Sequence, residues 1–483
     1  MLANMQLPKL LSSVSTSRRG FMVGAAAAAG GLLVGLRPRH GVAASGEDAD
    51  AQNPLTGYIL ITPDNKVTVL SSQFDMGQGS YHGLATLAVE ELGADWSQVD
   101  VQGASGNPKL YGNVMWGGKI QGTGGSTSMP GSFDRYRVAG ATARAMLAGA
   151  AAAAWGVPAA EIEVAGGALS HPSGKSARFG EMAAKAAEMP VPEDVALKER
   201  SEWTQIGNPD LRRYDSVAKA NGTQQFTIDV KLPGMLTAVV SHPPKFGATV
   251  KSFDPAAALD VPGVTDVVEI PRGVAVVAEH MWAAIKGREA LSIEWDDADA
   301  EVRGSSEIMA DYRSKAEQGP TVMARDDGET KAALKSAAKV VEAVYEFPYL
   351  AHAAMEPLNA VVRMNADGTL EVWGGHQIPD VYQAISAKIA DVPPEKVTMH
   401  VMKTGGGFGR RAVPDGDVVA ESVMVAKAID YRAPVKVQWT REDDMTGGRY
   451  RPAYVHKLRA GLDADGNLVA WDDHIIGQSI VTG

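Results

Sequence analysis

At 483 residues, with 45% apolar and 21% charged residues, the chain can form two or more hydrophobic cores, which excludes a disordered or fibrous protein. The net charge of -11 argues against a general nucleic-acid or anionic-membrane binder, because both tasks require basic patches. The sequence has no cysteine, so disulfides, iron–sulfur clusters and a cysteine nucleophile are excluded from this chain.

The chain begins with a segment typical of export signals. Ser17-Arg18-Arg19-Gly20-Phe21 leads into an apolar run of about sixteen residues, and Val42-Ala43-Ala44 offers a small-residue cleavage site. Paired arginines before a weakly hydrophobic run resemble a twin-arginine signal, the address of proteins exported already folded. We therefore predict a signal at 1–44, a linker at 45–56 and a periplasmic location. An ordinary secretion signal, a disordered arm or an uncleaved anchor that associates the protein with the membrane are the alternatives.

Strands and helices follow in three units joined by linkers. The first unit, residues 57–205, is predicted to contain strands at 58–62, 66–70 and 99–101 and helices at 83–92 and 135–155. The second, residues 213–297, is predicted to contain strands at 225–230, 236–240 and 274–278 and helices at 255–258 and 281–290. A charged helical bridge at 298–339 precedes a third, α/β unit at 340–483. The expected fold class is mixed α/β, or α+β, with several domains.

Three glycine-rich segments each lead into a predicted helix. They are Gly77-Gln78-Gly79, Gly122 to Ser128 and Gly405 to Gly409. Glycine permits positive φ and close backbone approach, and a helix N-terminus presents free N–H groups at the positive end of its dipole. Three such segments in one chain favour one large, highly polar ligand. Tight packing turns without a ligand are the alternative.

Nucleotide-binding fingerprints fit these segments poorly. Gly77 to Gly83 reads Gly-x-Gly-x-x-x-Gly with a glutamine in the turn, although Asp100 stands where a dinucleotide fingerprint expects an acid. Gly405 to Gly409 lacks the lysine and hydroxyl of a P-loop. A nicotinamide-binding protein stays an alternative only if the elements around Gly77 form a doubly wound parallel sheet. The sequence has no Gly-x-Ser-x-Gly segment to support a serine hydrolase.

Five short segments of the third unit form a specific set. They are His352-Ala-Ala-Met-Glu-Pro357, Glu371-Val-Trp-Gly-Gly-His-Gln377, Gly405-Gly-Gly-Phe-Gly409, Pro434-Val-Lys436 and Thr440-Arg441-Glu442. With the step of 28 residues from Gln377 to Gly405, the set resembles the molybdopterin-binding subunit of the xanthine dehydrogenase and aldehyde oxidase family. The unit at 213–297 resembles that family's α/β-hammerhead domain. The resemblance covers nearly everything after Gly57 and implies a molybdenum hydroxylase large-subunit fold.

The order of the segments narrows the resemblance. Most of the family carries its Gly-Gln-Gly segment after the Gly-Gly-Phe-Gly segment, whereas here Met76-Gly-Gln-Gly79 comes first. This order resembles the large (beta) subunit of the isoquinoline 1-oxidoreductase type and related exported aldehyde dehydrogenases. The resemblance implies a molybdopterin cofactor, in its cytosine dinucleotide form, and a small partner subunit that carries two [2Fe-2S] clusters. A cytochrome c is an expected electron acceptor, and no nucleic acid is expected to bind.

The resemblance also assigns roles to single residues. It implies that Gln377 hydrogen-bonds an oxo group of the molybdenum and that Phe408 lies against the metal and the substrate. It implies that the cofactor is held by three groups of residues: Gly77, Gln78 and Gly79; Gly125, Ser126, Thr127 and Ser128; and Gly406, Gly407, Phe408 and Gly409. Ala412 stands where purine-hydroxylating relatives carry a glutamate, so xanthine is not the expected substrate. An N-heteroaromatic compound or an aldehyde is expected instead, with water as the oxygen source.

One part of the family pattern is not found. The catalytic glutamate of the family lies in a Gly-x-Gly-Glu segment near the C-terminus, and no such segment occurs before Gly483. We expect the chain to be truncated and the general base to be absent from it. A non-catalytic cofactor-binding or assembly scaffold is therefore the alternative function.

Other polar residues near these motifs are weighed against structural roles. His352 and Glu356 are spaced as helical metal ligands, but Pro357 favours a buried structural turn. His82 and His376 flank the expected pocket, and a structural role is favoured over contact with the ligand. Arg410 and Arg411 follow the glycine segment, where either a phosphate contact or ordinary surface charge is expected.

Overall fold

A computed structural model describes residues 21–26, 31–36 and 57–480 of the chain. In this part of the chain, the strands form five sheets and helices stand between them in the sequence, which confirms the predicted mixed α/β class. The described residues contain no helix that is both long enough and apolar enough to span a membrane.

The first sheet has five strands in the order β1-β2-β3-β4-β5. They are β1 (Phe21–Ala26), β2 (Gly31–Leu36), β3 (Ile59–Ile61), β4 (Val67–Ser71) and β5 (Val99–Gly103). Only β4 and β5 pair in parallel, and the other neighbours are antiparallel. The sheet is therefore not doubly wound, and the condition set for a nicotinamide-binding protein is not met.

The apolar run predicted to be a signal forms two of these strands. β1 and β2 pair as an antiparallel hairpin, and Val34 of β2 lies opposite Ile59 of β3. Leu32 and Val34 are fully buried, with 0% of each exposed. The run thus contributes to the core of the first unit, whereas the arginine pair and the small-residue cleavage site lie outside the described residues.

Two long helices cover the first sheet. They are α1 (Ser80–Leu92) and α3 (Ser128–Trp155), and they pack against each other. At Gly140 of α3, a Cβ atom would lie 2.4 Å from the backbone oxygen of Ala88, so only glycine permits this approach of the two helices. The remaining elements of the unit are α2 (Pro108–Tyr111), β6 (Glu163–Ala165), β7 (Ala168–Ser170), β8 (Ser176–Arg178) and α4 (Phe179–Ala187).

The largest sheet has seven strands and joins the second unit to the third. Its order is β11-β12-β9-β18-β15-β16-β17, and the junction is a parallel pairing of β9 with β18. The strands are β9 (Leu236–Ser241), β11 (Val264–Ile270), β12 (Gly273–Ala278), β15 (Asn359–Met364), β16 (Leu370–Gly374), β17 (Val397–Val401) and β18 (Val435–Gln438). One hydrophobic core therefore spans strands from both units.

The remaining elements surround this sheet. The helices are α5 (Ser216–Ala220), α6 (Ala256–Leu259), α7 (Met281–Ala290), α8 (Ser305–Ala316), α9 (Thr330–Ser336), α10 (Pro379–Ala390), α11 (Asp417–Ala428) and α12 (Arg441–Thr446). The strands are β10 (Thr249–Asp254) and β13 (Ser292–Asp296), which pair with each other, and β14 (Lys339–Phe347), β19 (Tyr454–Leu462) and β20 (Leu468–Gly477), which form a separate sheet.

One predicted strand is wrong. Residues 225–230 contain a single 3-10 turn, Thr227–Asp229. The backbone at Ile228 bonds to side chains rather than to a strand: its N–H donates to Glu356 and its carbonyl accepts from Lys436. Two tertiary partners therefore take the hydrogen bonds that a sheet would have used.

Candidate cofactor site

The three glycine-rich segments meet at Thr123 and Gln377. The Thr123 hydroxyl accepts from the N–H of Phe74, 2.8 Å away, which anchors the segment leading to Gly77. The Thr123 N–H donates to the Gln377 carbonyl at 2.9 Å, and the Gln377 side-chain amide donates to the Thr123 carbonyl at 2.9 Å. The Gln377 side-chain oxygen accepts from the N–H of Arg411 at 3.2 Å. Segments far apart in the sequence are thus held at one place, as one shared ligand would require.

Gln377 is buried and acts here as a connector. Its side chain bonds to the segment at 122–128 on one side and to the end of the segment at 405–409 on the other. The side-chain oxygen therefore accepts one hydrogen bond and has a second lone pair, and one N–H of the amide remains for another acceptor. The predicted contact with a molybdenum oxo group stays a prediction.

The segment from Gly405 to Gly409 turns sharply and presents Phe408 outward. Gly406 and Gly409 have φ values of 103° and 101°, and Phe408 has a φ of 55° with 71% of its surface exposed. Positive φ in a bulky residue is strained and persists only where surrounding structure enforces it. At Gly407 a Cβ atom would lie 2.5 Å from the sulfur of Met76, so this segment also lies directly against the segment of Gly77.

Glu356 holds the start of this segment. Its buried carboxylate accepts four hydrogen bonds: from the Thr404 hydroxyl at 2.5 Å, the Gly405 N–H at 2.6 Å, the Ile228 N–H at 2.9 Å and the Asn359 amide at 3.0 Å. All four groups are donors, so the carboxylate serves as a structural anchor. Among the described residues no group of three or more acidic or histidine side chains could hold a metal ion.

Arg410 and Arg411 are buried beneath the segment, so the alternative of ordinary surface charge is wrong for both. Arg410 pairs with Asp417 at 2.5 Å and stacks over the Trp439 ring. Arg411 donates to the carbonyls of Gly406 and Glu356, each at 3.2 Å. The contact of one of these residues with a cofactor phosphate stays a prediction.

The segment from Gly77 to Gly79 is stabilised mainly by its own neighbours. Gln78 donates to the Phe74 carbonyl at 2.8 Å and accepts from the Met76 N–H at 2.8 Å, so its side chain closes the turn. Arg213 donates to the Gly77 carbonyl at 2.8 Å. Gly77 and Gly79 have positive φ, and Gly77 and Gln78 are exposed. The main chain of this turn therefore faces outward, while the Gln78 amide faces the turn itself.

Asp215 ties this segment to the strand before Gly405, and sequence analysis missed it. It pairs with Arg213 at 2.8 Å, with Lys219 at 2.7 Å and with Lys403 at 3.2 Å. Burial acts to raise the pKa of the Asp215 carboxyl, but hydrogen bonds from Lys219 and Arg213 and the charge of Lys403 outweigh burial and hold this pKa well below its usual range. Arg213 and Lys219 are close to Asp215 in the sequence, but Lys403 is 188 positions away, so no local motif marks the contact between the two segments.

The segment from Gly122 to Ser128 leads into α3 with mixed exposure. Gly125 and Ser126 are exposed with φ values of 59° and 57°. The Thr127 hydroxyl donates to the Gly124 carbonyl at 2.7 Å, and the Ser128 hydroxyl donates to Gln73 at 3.1 Å. Of the three hydroxyl residues predicted to bind the cofactor, only Ser126 is exposed.

The histidines near the site are kept neutral by burial. Burial, with the charge of Arg411 second, lowers the pKa of His376 to about 3. Burial also lowers the pKa of His82, which stacks on Trp96 and Tyr214, and that of His352. The structural roles favoured for His82 and His376 stay predictions, because Nδ1 of His82 and both ring nitrogens of His376 have no hydrogen-bond partner among the described residues.

The donor set fits an anionic, oxygen-rich cofactor. Gly79, the N-cap residue of α1, makes no side-chain capping bond, but the Asp75 carboxylate accepts from the N–H groups of Gly77 at 2.9 Å and of Tyr81 at 3.1 Å, so these donors are already used. Thr127, the N-cap residue of α3, makes no side-chain capping bond, so the first N–H groups of this helix remain for a ligand beside the exposed Gly125. This arrangement suits a pterin with its phosphates.

Known proteins carry the same domains. Two profiles described as Molybdopterin cofactor-binding domain match residues 16–240 and 315–479. The chain is 32% identical to the beta subunit of isoquinoline 1-oxidoreductase from Brevundimonas diminuta, over 96% of this chain and 64% of the relative. It is also 32% identical to the membrane-bound aldehyde dehydrogenase [pyrroloquinoline-quinone] of Gluconacetobacter polyoxogenes, over 95% of this chain and 60% of the relative.

Two further matches have lower sequence identity. One of the subunits of nicotinate dehydrogenase from Pseudomonas putida is 27% identical over 87% of this chain and 35% of the relative. The solved structure of quinoline 2-oxidoreductase from Pseudomonas putida 86 is 20% identical, covers 55% of this chain and 38% of its own, and gives a TM-score of 0.45. The chain spans 60 to 64% of the length of its first two relatives. With both cofactor-binding domains present, the chain belongs to the xanthine dehydrogenase family of molybdopterin-binding subunits.

Proposed function

We propose that this chain is the molybdopterin-binding part of an exported molybdenum hydroxylase that oxidises an N-heteroaromatic compound or an aldehyde. The observation that carries the proposal is the convergence of the segments at 77–79, 122–128 and 405–409 on the Thr123–Gln377 connection. The names of the relatives support the substrate class, since they act on isoquinoline, an aldehyde and nicotinate.

The residues of this chain bind and orient the cofactor. N–H groups at the start of α3 would hold its phosphates, and the turn from Gly406 to Gly409 would lie against its reactive face. When bound, the molybdenum centre supplies the two-electron oxidation, with oxygen derived from water. Phe408 would shield the reacting face from solvent and stack against a planar substrate, because its ring is held outward on a strained backbone.

Electrons would leave through a small [2Fe-2S] subunit and then a cytochrome c acceptor. The sequence given contains no cysteine, which supports a separate partner as the carrier of the iron–sulfur clusters. The cofactor would be the cytosine dinucleotide form, and the mature complex would be periplasmic. The Ser17-Arg18-Arg19 sequence supports export by the twin-arginine route.

The test is the molybdenum and nucleotide content of the protein purified from its own host with its bound partners. Elemental mass spectrometry should find close to one molybdenum per chain, and acid release should yield cytidine monophosphate. Replacement of Gly125 by valine should remove most of the molybdenum, because Gly125 has a φ of 59° in the exposed helix entry. Gly174→Val is the matched control: Gly174 has a φ of 87° with open space around it, in a turn away from the site.

The outcomes separate the candidate functions. The hydroxylase is supported if molybdenum is present in the wild type and in the Gly174 variant but is lost in the Gly125 variant. The purified complex should then also oxidise a heteroaromatic compound or an aldehyde. Bound pterin without turnover in the purified complex supports the cofactor-binding or assembly scaffold instead. Absence of both molybdenum and pterin, or a bound quinone cofactor in their place, contradicts the proposal.

A further inference from the structure

A small internal cavity lies beneath the glycine turn, on the side away from the exposed Phe408. About 10 Å³ of it is open to the centre of a water molecule, close to the space that one buried water occupies. Its walls include His376, Asn359, Arg410 and Asp417. The cavity therefore adjoins the Arg410–Arg411 pair and His376, the residue before Gln377.

Three polar side chains of this wall carry atoms without a hydrogen-bond partner among the described residues. They are both ring nitrogens of His376, the Oδ1 atom of Asn359, and the Nε and Nη1 atoms of Arg410. The Val372 carbonyl lies near the His376 ring and acts to raise its pKa, yet neither ring nitrogen has a partner in hydrogen-bond geometry. The side chains are buried, with 0%, 1% and 3% of their residues exposed, in the order given. Buried polar atoms in native proteins are nearly always satisfied, which points to a missing partner here.

The mixture of donors and acceptors identifies that partner. The amide of Asn359 donates to Glu356 at 3.0 Å and to the Pro357 carbonyl at 2.9 Å, so its Oδ1 atom is the end that needs a donor. The free N–H groups of Arg410 need an acceptor. A halide or another simple anion would satisfy Arg410 but not Asn359, and a metal cation would be repelled by the guanidinium. Only a small molecule that both donates and accepts meets all three side chains.

We propose that this cavity binds one structural water molecule that bridges Arg410, Asn359 and the neutral ring of His376. His376 immediately precedes Gln377, Arg410 immediately follows Gly409, and Asn359 bonds to the Glu356 carboxylate that holds Gly405. The water thus links both ends of the glycine turn to the connector Gln377. It positions the turn from inside the protein and does not touch substrate or cofactor.

A crystal structure of the wild-type complex, collected with and without a bromide soak, is the direct test. The expected result is a single solvent peak within hydrogen-bond distance of Arg410 and Asn359, with no anomalous bromide signal there. An anomalous signal would mean an anion site and would overturn the proposal. So would the finding that Arg410 and Asn359 bond to protein atoms and leave no peak.

Two variants of His376 test the positioning role. His376→Gln keeps a donor and an acceptor and is expected to retain the solvent peak and the wild-type molybdenum content. His376→Phe removes both, and is expected to lose the peak and to show a lower thermal midpoint and a lower molybdenum content. Equal thermal midpoints and metal contents for the two variants would contradict a positioning role for the water. The wild-type density decides the proposal even if the phenylalanine variant fails to fold.

Discussion

Replacement of Glu356 by glutamine should destabilise the protein strongly, although the two side chains have the same shape. The carboxylate faces four donors, two at each oxygen, from Thr404 and Gly405 on one side and from Ile228 and Asn359 on the other. In either orientation, the new NH2 group faces a backbone N–H, which cannot reverse its role. Hydrogen bonds to a charged group contribute about 1.5–3 kcal/mol each, so the loss of the bond to the backbone N–H predicts a destabilisation of at least about 1.5–3 kcal/mol.

The assay is chemical unfolding monitored by circular dichroism, with molybdenum content measured on the same samples. Glu395→Gln is the matched control, because Glu395 is exposed in a short turn, and its unfolding free energy should change by less than about 0.5 kcal/mol. The Glu356 variant should also lose molybdenum, since Gly405 is released from its anchor. A Glu356 variant that unfolds at the control's denaturant concentration would refute the anchoring argument.

Three further predictions concern acid stability and the glycine turn. His376 has a pKa of about 3 in the folded protein and about 6.5 in the unfolded chain, so its contribution to stability is present at neutral pH and is lost as the pH falls. Between pH 7 and pH 5, the unfolding free energy of the wild type should therefore fall by about 2 kcal/mol more than that of His376→Gln. Parallel pH profiles for the two proteins would contradict this prediction. The pKa of Asp215 is lowered in the folded protein, so its contribution to stability is present above about pH 4 and is lost at lower pH. Asp215→Asn should be less stable than the wild type at pH 7, and its unfolding free energy should fall less steeply as the pH is lowered. An unchanged dependence of the unfolding free energy on pH would contradict the contact of Asp215 with its three cations. In Gly405→Ala the new Cβ atom would lie 2.8 Å from the Cβ atom of Glu356, which predicts that the unfolding free energy falls by about 1–3 kcal/mol, measured by thermal denaturation. A variant as stable as the wild type would show that the loop can move to make room for the methyl group.

Local patterns were sufficient to predict four of the helices, α1, α3, α6 and α7, and several strands. The helix predicted at 281–290 is α7 over the same residues, and the strand predicted at 236–240 lies within β9. These elements follow from periodicity and from turn residues at their ends, which are encoded within a few residues of chain. The strand predicted at 225–230 failed because distant partners, Glu356 and Lys436, took its backbone hydrogen bonds.

The glycine segments and family motifs located the candidate site, but the tasks of single side chains were less predictable. Arg410 and Arg411 follow the turn in sequence, yet the fold buries them under it. The Gln78 amide closes its own turn, and Thr127 and Ser128 bond internally. A side chain's direction depends on packing and on the position of buried partners, and neither is written in the local sequence.

By itself, the sequence determined the family and located the three glycine-rich segments, because each depends on residue type and short-range spacing. The prediction that each segment leads into a helix is wrong for Gly405 to Gly409, which is followed by a 3-10 turn, Arg410–Ala412, whereas α11 begins only at Asp417. Only the tertiary structure decided that Thr123 and Gln377 join the three segments, that Glu356 and Asp215 anchor them, and that the sheet of the second unit continues into the third. Contacts between residues separated by more than a hundred positions depend on chain topology. Hydrogen-bond donors and acceptors find their partners only after the hydrophobic cores have brought these segments together.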